Sequence, residues 1–169
     1  MRVLRHIASI AALPGLVTIV VPVVLVDAAG LLQPAHWPFP LDLISALIGL
    51  IFVGLGLWLL AATIQLFANE GEGTLAPWDP PRRLVVKGVY ARVRNPMISG
   101  ACCVLLGEAL LTESAPVFGW FVFFVLLNLV YIPRREEPAL VRRFGDDYVE
   151  YRQNVPRWIP RRRPWNPDR

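Results

Sequence analysis

The sequence predicts an all-α, polytopic integral membrane protein, with about four transmembrane helices and a cytoplasmic C-terminal segment of short helices. Three observations carry that expectation. The first is composition: 55% of the 169 residues are hydrophobic, and a mean hydropathy of +0.48 is too high for an ordinary soluble domain of this size. The second is the pattern of charge-free runs. Ile7 to Val26, Leu43 to Asn69 and Ser114 to Pro133 contain no Asp, Glu, Lys or Arg, and each is near the length needed to cross about 30 Å of hydrocarbon. A shorter apolar run, Pro96 to Leu111, would cover only about 24 Å as a helix and is expected to cross tilted or through a thinned bilayer. The third is the placement of positive charge. All 17 Lys and Arg residues lie in three places: Arg2 and Arg5, then Arg82 to Arg94, then Arg134 to Arg169. Crossings in two hairpins, with both termini in the cytoplasm, put all three clusters on one side, as the positive-inside bias requires.

A single membrane domain over 1–169 follows, made of an N-terminal helix pair (1–68), a region with a long polar loop, a helical hairpin and short helices (69–160), and a basic tail (161–169). The net charge of +4 and the pI of 9.6 then reflect topology and contact with anionic lipid, and no soluble basic face is expected to bind nucleic acid. Cys102 and Cys103 are adjacent, which rules out a CxxC arrangement and reads as packing; His6 and His36 have no ligand-spaced partner, so no metal site is expected. Arg2 and Arg5 before an apolar run resemble a signal peptide. The run is too long and lacks a small-residue cleavage site, so it is read as a retained first helix in a multi-pass protein, with the bacterial inner membrane as the expected location.

Taken in order, the first helix is expected over Leu4 to Val26, bent by Pro14 and Pro22, with hydroxyls such as that of Thr18 compensating for lost ladder bonds. Asp27 to Asp42 reads as an irregular outer loop with Trp37 at the interface. The second helix, Leu43 to Phe67, carries Ser45, Gly49 and Gly56 on one face, a pattern for close helix contact. Gln65 near its end has two readings, contact with interfacial water or lining of a cavity. Residues 69 to 86 are expected as a long cytoplasmic loop of the kind that binds or covers ligands; Gly71 and Gly73 do not make a nucleotide-binding motif. In the third helix Glu108 either snorkels to outer water or makes a buried polar contact. Beyond Pro133 two short helices are expected, the first opened by Pro138 and ended by Gly145, the second capped by Asp146 or Asp147, with Tyr148 and Tyr151 on a shared face. Glu136 and Glu137 lie at a helix start, where they can offset the helix dipole. Val155 to Pro160 and the arginines after it read as a lipid-touching tail.

The chemistry concentrates in residues 87 to 100, a basic segment that bears a turn and runs into an apolar helix. Asn95 is suited to accept a bond from a free amide at the N-cap, and Pro96 suits the first helical position. A helix N-terminus flanked by Arg92 and Arg94 favours a carboxylate or phosphate. The same residues also fit a plain transmembrane helix with inside-facing arginines, so on these residues alone both readings stand.

Two clusters together separate those readings. Gly88-Val89-Tyr90-Ala91-Arg92-Val93-Arg94-Asn95-Pro96-Met97-Ile98-Ser99-Gly100 is followed, across a membrane hairpin, by Glu136-Glu137-Pro138-Ala139-Leu140, Phe144-Gly145-Asp146-Asp147-Tyr148, Tyr151 and Val155-Pro156-Arg157-Trp158-Ile159-Pro160. These runs resemble the isoprenylcysteine carboxyl methyltransferase and phospholipid methyltransferase family over roughly residues 70 to 160, and Gly71 to Pro81 is similar to its bacterial branch. The resemblance implies a membrane methyltransferase using S-adenosylmethionine, held at the cytoplasmic face, with a lipophilic acceptor entering from the bilayer. By position it implies that Tyr90, Arg94, Asn95, Pro96 and Gly100 shape the cofactor pocket, that Glu136 and Glu137 bind the cofactor's polar groups, and that Tyr148 and Tyr151 close it. Arg135 and Glu137 are the implied catalytic residues, Arg135 holding an acceptor carboxylate. Ile98 stands where the family has Tyr or Phe, which removes an aromatic wall. Related sterol reductases share the architecture, so an NADPH-dependent membrane reductase is the alternative, and a non-catalytic membrane protein is a third. Physically, transfer fits better: an in-line displacement needs donor and acceptor held in a dry pocket, and an ionised carboxylate acceptor needs no acid. An amine acceptor would need a base, drawn from Glu136, Glu137 or a tyrosine.

Overall fold

Charge-free runs of this length satisfy their backbone groups only by coiling, and helices are what they form. The computed structural model describes residues 11–29, 37–70 and 83–166, and its regular elements are helices with no strand among the described residues. Helix α1 has two parts, a wide-turned π-type stretch Ala11–Val20 and a regular stretch Val21–Ala29. Then come α2 (Leu41–Glu70), a short 3-10 turn (Gly88–Ala91), α3 (Pro96–Thr112) and α4 (Ala115–Tyr131). A π-type turn (Ile132–Glu136) leads into α5 (Glu137–Phe144), and α6 (Asp146–Asn154) follows. The start of the expected first helix before Ala11 and the loop residues 71–82, including Gly71, Gly73 and Pro81, fall outside the described residues.

Two of these helices, Leu41–Leu66 and the continuous Ala115–Phe144, are long and apolar enough to cross a bilayer. The stretches expected as the first and third crossings form the shorter apolar helices Pro14–Ala28 and Pro96–Thr112. Large side chains on α2 and α4, among them Ile51, Leu57, Trp58, Phe123 and Leu126, are more than half exposed. Such a surface is stable against hydrocarbon, not against water.

The prolines of α1 are compensated in a traceable way. Thr18 Oγ1 donates to the Pro14 carbonyl at 2.7 Å, as expected for that hydroxyl. Pro22 has no N–H to direct at the Val17 carbonyl in π geometry, and the indole Nε1 of Trp120 donates to it instead at 3.1 Å. That bond ties α1 to α4. Around it Ala101, Leu105 and Phe124 form a core flanked by Val17, Ile98, Cys102, Trp120 and Phe121, so Cys102 packs as a small apolar side chain.

The main packing surface is the antiparallel crossing of α2 and α3. Ser45, Gly49 and Gly56 share the buried face of α2, as their spacing predicts. A Cβ at Gly56 would lie 2.6 Å from the Gly100 carbonyl, and one at Gly107 2.6 Å from the Gly49 carbonyl, so only glycine admits this approach. Ser45 Oγ adds a bond to the Leu110 carbonyl at 2.9 Å.

Several expected boundaries shift, each for a local reason. Helix α2 runs to Glu70, past the expected end at Phe67. Helix α4 does not break at Pro133: the π-type turn widens the coil, and Glu137 N–H bonds to the Ile132 carbonyl, five residues back. Pro138 then sits in the first turn of α5, while Gly145, at φ +57, ends it as expected. Neither Asp146 nor Asp147 caps α6 with its side chain; both lie in its first turn, where their charge complements the dipole. Gln65 is exposed, in keeping with the interfacial reading. Glu108 is half-buried, with Oε2 enclosed and without a hydrogen-bond partner among the described residues.

The glycine crossing generates a paired prediction. Gly56→Val must displace the Gly100 and Val104 backbone, whereas Gly54→Val meets nothing within 4 Å. Gly56→Val is expected to destabilise by about 1–3 kcal/mol, the usual cost of overpacking, and thermal unfolding in one detergent should show a lowered midpoint for it and little change for Gly54→Val.

Candidate functional site

The segment Arg92 to Asn95 leads from the 3-10 turn into α3, and the chain beyond α6 folds back onto it. Arg94 N–H bonds to the Pro156 carbonyl at 2.9 Å, Arg161 N–H to the Arg92 carbonyl at 2.9 Å and Trp165 N–H to the Ala91 carbonyl at 2.8 Å. Arg92 Nη1 donates to the Arg162 carbonyl at 2.6 Å and Arg161 Nη1 to the Asn154 carbonyl at 2.7 Å. The tail is therefore stitched to the protein rather than lying free on lipid. Only its tip resembles the expected membrane-touching segment, with Ile159 80% exposed.

At the centre of this join is a buried carboxylate. Glu137 is 5% exposed. Its Oε1 accepts from Arg94 Nη1 at 2.7 Å and from Arg157 Nε at 2.8 Å, and its Oε2 accepts from Arg157 Nη2 at 3.0 Å. The Arg94 side chain is 9% exposed, and its Nε is enclosed without an acceptor. Two guanidinium charges meet the one carboxylate of Glu137, with Glu136 at the edge, next to the N-terminus of α3, where free N–H groups add positive potential.

Tyrosines wall this cluster. Tyr148, Tyr151 and Val155 are buried together, flanked by Leu84, Val86, Leu140, Val141, Phe144 and Trp165. Tyr148 and Tyr151 share a face, their rings 6.0 Å apart edge to face, and Tyr151 Oη donates to the Tyr90 carbonyl at 2.8 Å. Burial pushes all three phenols up. For Tyr90 the nearby Tyr151 and Glu136 add to it, for Tyr148 Glu137 adds while Arg94 partly offsets, and for Tyr151 Tyr148 adds while Arg94 offsets. The phenols thus stay protonated as walls, and the Tyr151 hydroxyl acts as a donor.

The structure brings Tyr90, Arg94, Glu137, Tyr148 and Tyr151 into one cluster, with Glu136 at its edge, close enough for its charge to act on Tyr90 and Tyr148. Asn95 and Pro96 form the start of α3 as expected, but Asn95 makes no side-chain cap. Its Nδ2 points to the Arg157 carbonyl at 3.4 Å, and its own carbonyl receives the Ser99 amide and hydroxyl. Gly100 lies apart from the cluster, against α2. Arg135 is exposed on the π-type turn and makes no contact with Glu137. Arg157 is the residue that sequence reasoning missed. Its only sequence signal was an arginine inside Val155 to Pro160, read as part of a lipid-touching tail.

A helical membrane scaffold with an arginine-lined, tyrosine-walled cluster at one end defines a class, and the comparisons with known proteins specify it. The family model for phospholipid methyltransferase matches residues 44–147, so the chain belongs to that family of membrane methyltransferases. The protein-S-isoprenylcysteine O-methyltransferase of Schizosaccharomyces pombe is 40% identical over 83 residues, which is 46% of this chain and 33% of that protein. The chain thus aligns with about a third of the length of this relative. No solved structure matches. The match to a methyltransferase family leaves the reductase alternative without support.

The tyrosine wall makes a prediction with a definite sign. The folded chain holds Tyr151 protonated above its ordinary value of 10.0, so its contribution is complete below about pH 10 and is lost as pH rises past it. Tyr151→Phe is expected to cost about 1 kcal/mol at neutral pH through the lost bond to Tyr90, and to flatten the fall in melting temperature on the alkaline side. Melting curves across that pH range check both parts.

Proposed function

We propose that this chain is a multi-pass membrane enzyme, its basic clusters on the cytoplasmic side, that transfers a methyl group from S-adenosylmethionine to the carboxylate of a lipid or lipid-modified acceptor. The observation that carries the proposal is the buried Arg94–Glu137–Arg157 cluster at the start of α3, inside a chain of a methyltransferase family. The enclosed Arg94 Nε without an acceptor is a donor that the cofactor's carboxylate would satisfy. Glu136, at the rim, suits its amino group or ribose hydroxyls, and Tyr90, Tyr148 and Tyr151 exclude water from that end. When bound, the cofactor supplies an electrophilic methyl group on a sulfonium.

A carboxylate acceptor asks least of the residues of the site. Both oxygens of Glu137 are engaged by guanidiniums, and burial keeps the tyrosines protonated, which makes these poor bases and leaves Glu136 as the base that an amine acceptor would use. A carboxylate is already ionised and needs none. Arg135, exposed on the π-type turn that follows α4, suits the negative charge of an acceptor arriving from the bilayer. The isoprenylcysteine O-methyltransferase relative carries a name of the same kind, a methyl transfer to oxygen on a lipid-modified residue.

Calorimetry of S-adenosylmethionine with the purified full chain in detergent tests the cofactor, and labelled-methyl transfer to an S-prenylated cysteine tests the acceptor. Arg94→Ala and Glu137→Gln are each expected to weaken cofactor binding about tenfold or more, the scale of a hydrogen bond to a charged group. Arg135→Ala is expected to spare cofactor binding and cut turnover. Wild-type affinity in both of the first two variants would overturn the site.

A further inference from the structure

Glu137 accepts three charged hydrogen bonds, and their division is unequal. Arg157 spans both oxygens, Nε on Oε1 at 2.8 Å and Nη2 on Oε2 at 3.0 Å, the forked pairing that suits guanidinium and carboxylate. Arg94 contributes a single bond, Nη1 on Oε1 at 2.7 Å, and its Nε stays enclosed without an acceptor. A carboxylate left alone with Arg94 would take up that fork itself, consume the spare donor and neutralise the guanidinium. Arg157 lies beyond the residues 44–147 matched by the family model. It is fixed independently by its backbone surroundings: its carbonyl receives Asn95 Nδ2 at 3.4 Å, and the preceding Pro156 carbonyl receives the Arg94 amide at 2.9 Å.

We propose that Arg157 is a positioning residue: by holding the fork of Glu137 it limits Arg94 to a single bond with that carboxylate and leaves the Arg94 Nε donor for the carboxylate of the methyl donor. The inference rests on the function proposed above and assigns the C-terminal tail a part in it. Arginine is required here because lysine would restore the charge but not the planar fork.

The test compares two ligands on the full chain in detergent, S-adenosylmethionine and its decarboxylated analogue, each by calorimetry with wild type, Arg157→Lys and Arg157→Ala. Arg157→Ala is expected to lose about tenfold or more in affinity for S-adenosylmethionine and to bind the decarboxylated analogue within about twofold of wild type, because only the first ligand couples to Arg94. Arg157→Lys should fall between wild type and Arg157→Ala. Equal losses for both ligands would mark Arg157 as merely structural, and an unchanged affinity for S-adenosylmethionine would also overturn the inference while leaving the cofactor assignment intact. A wild-type chain that binds neither ligand overturns the function and the inference together. Should Arg157→Ala not yield folded protein, the same ligand comparison with Arg157→Gln and Arg157→Lys decides.

Discussion

The carboxylate of Glu137 is the tie on which the site depends. Taking a carboxylate out of water costs several kcal/mol, recovered only when charged donors surround it in good geometry. Here those donors come from the loop before α3 and from the chain after α6, while Glu137 itself opens α5. Segments some forty and twenty residues away along the chain therefore meet at one group, and the cluster exists only when the whole polar end is folded. The π-type turn Ile132–Glu136 is what aims it. Each residue added to a helix turns the following side chains by about 100°, so the widened coil decides whether Glu137 faces Arg94 or lipid.

A second constraint sets the height of Arg94 relative to the rest. In hydrocarbon no hydrophobic force draws helices together, and close backbone approach takes its place. Gly49 against Gly107 and Gly56 against Gly100 lock α2 and α3 at two points. Gly100 lies just one turn inside the start of α3, so the crossing that it makes also fixes where Asn95, Arg94 and the free N–H groups of that helix stand. Its role at the site is thus exerted through packing, at a distance from the charged cluster.

The helices and the small-residue face of α2 were legible because period is a local property: Ser45, Gly49 and Gly56 show their shared side without reference to anything else. Their partners on α3 were not, since the register between two helices is not written in either one. Gly100 was matched to a motif, and its packing partner was invisible. Arg94, Glu137, Tyr148 and Tyr151 were brought together by two ordered motifs, and the structure shows them in contact. Arg157 was missed for a physical reason. A basic residue beside Trp158, Ile159 and two prolines reads as interfacial, and only the backbone bond between Arg94 and Pro156 reveals that the chain turns back. Asn95 had the residue type of a cap but not the surroundings, for its amide is drawn to the Arg157 carbonyl. Pro133 ends the charge-free run, yet the helix continues through it, because a π-type turn relieves the unpaired carbonyl and the crowded turn that a proline brings to a regular α-helix.

The sign of the buried charge bears on which reaction the site can run. The guanidiniums of Arg94 and Arg157 lower the energy of anions brought to them, while Glu136 at the edge does so for cations. An amine acceptor must arrive, or leave, with positive charge near Arg94 and Arg157, and it must hand a proton to a base. On the proposed function, a carboxylate acceptor met by Arg135 loses its charge as the ester forms, so the neutral product is held less tightly than the substrate was. That asymmetry favours release into the bilayer, where an uncharged lipid ester is at home. On the proposed function, the charge that would draw an anionic lipid to the site would not hold its methylated form.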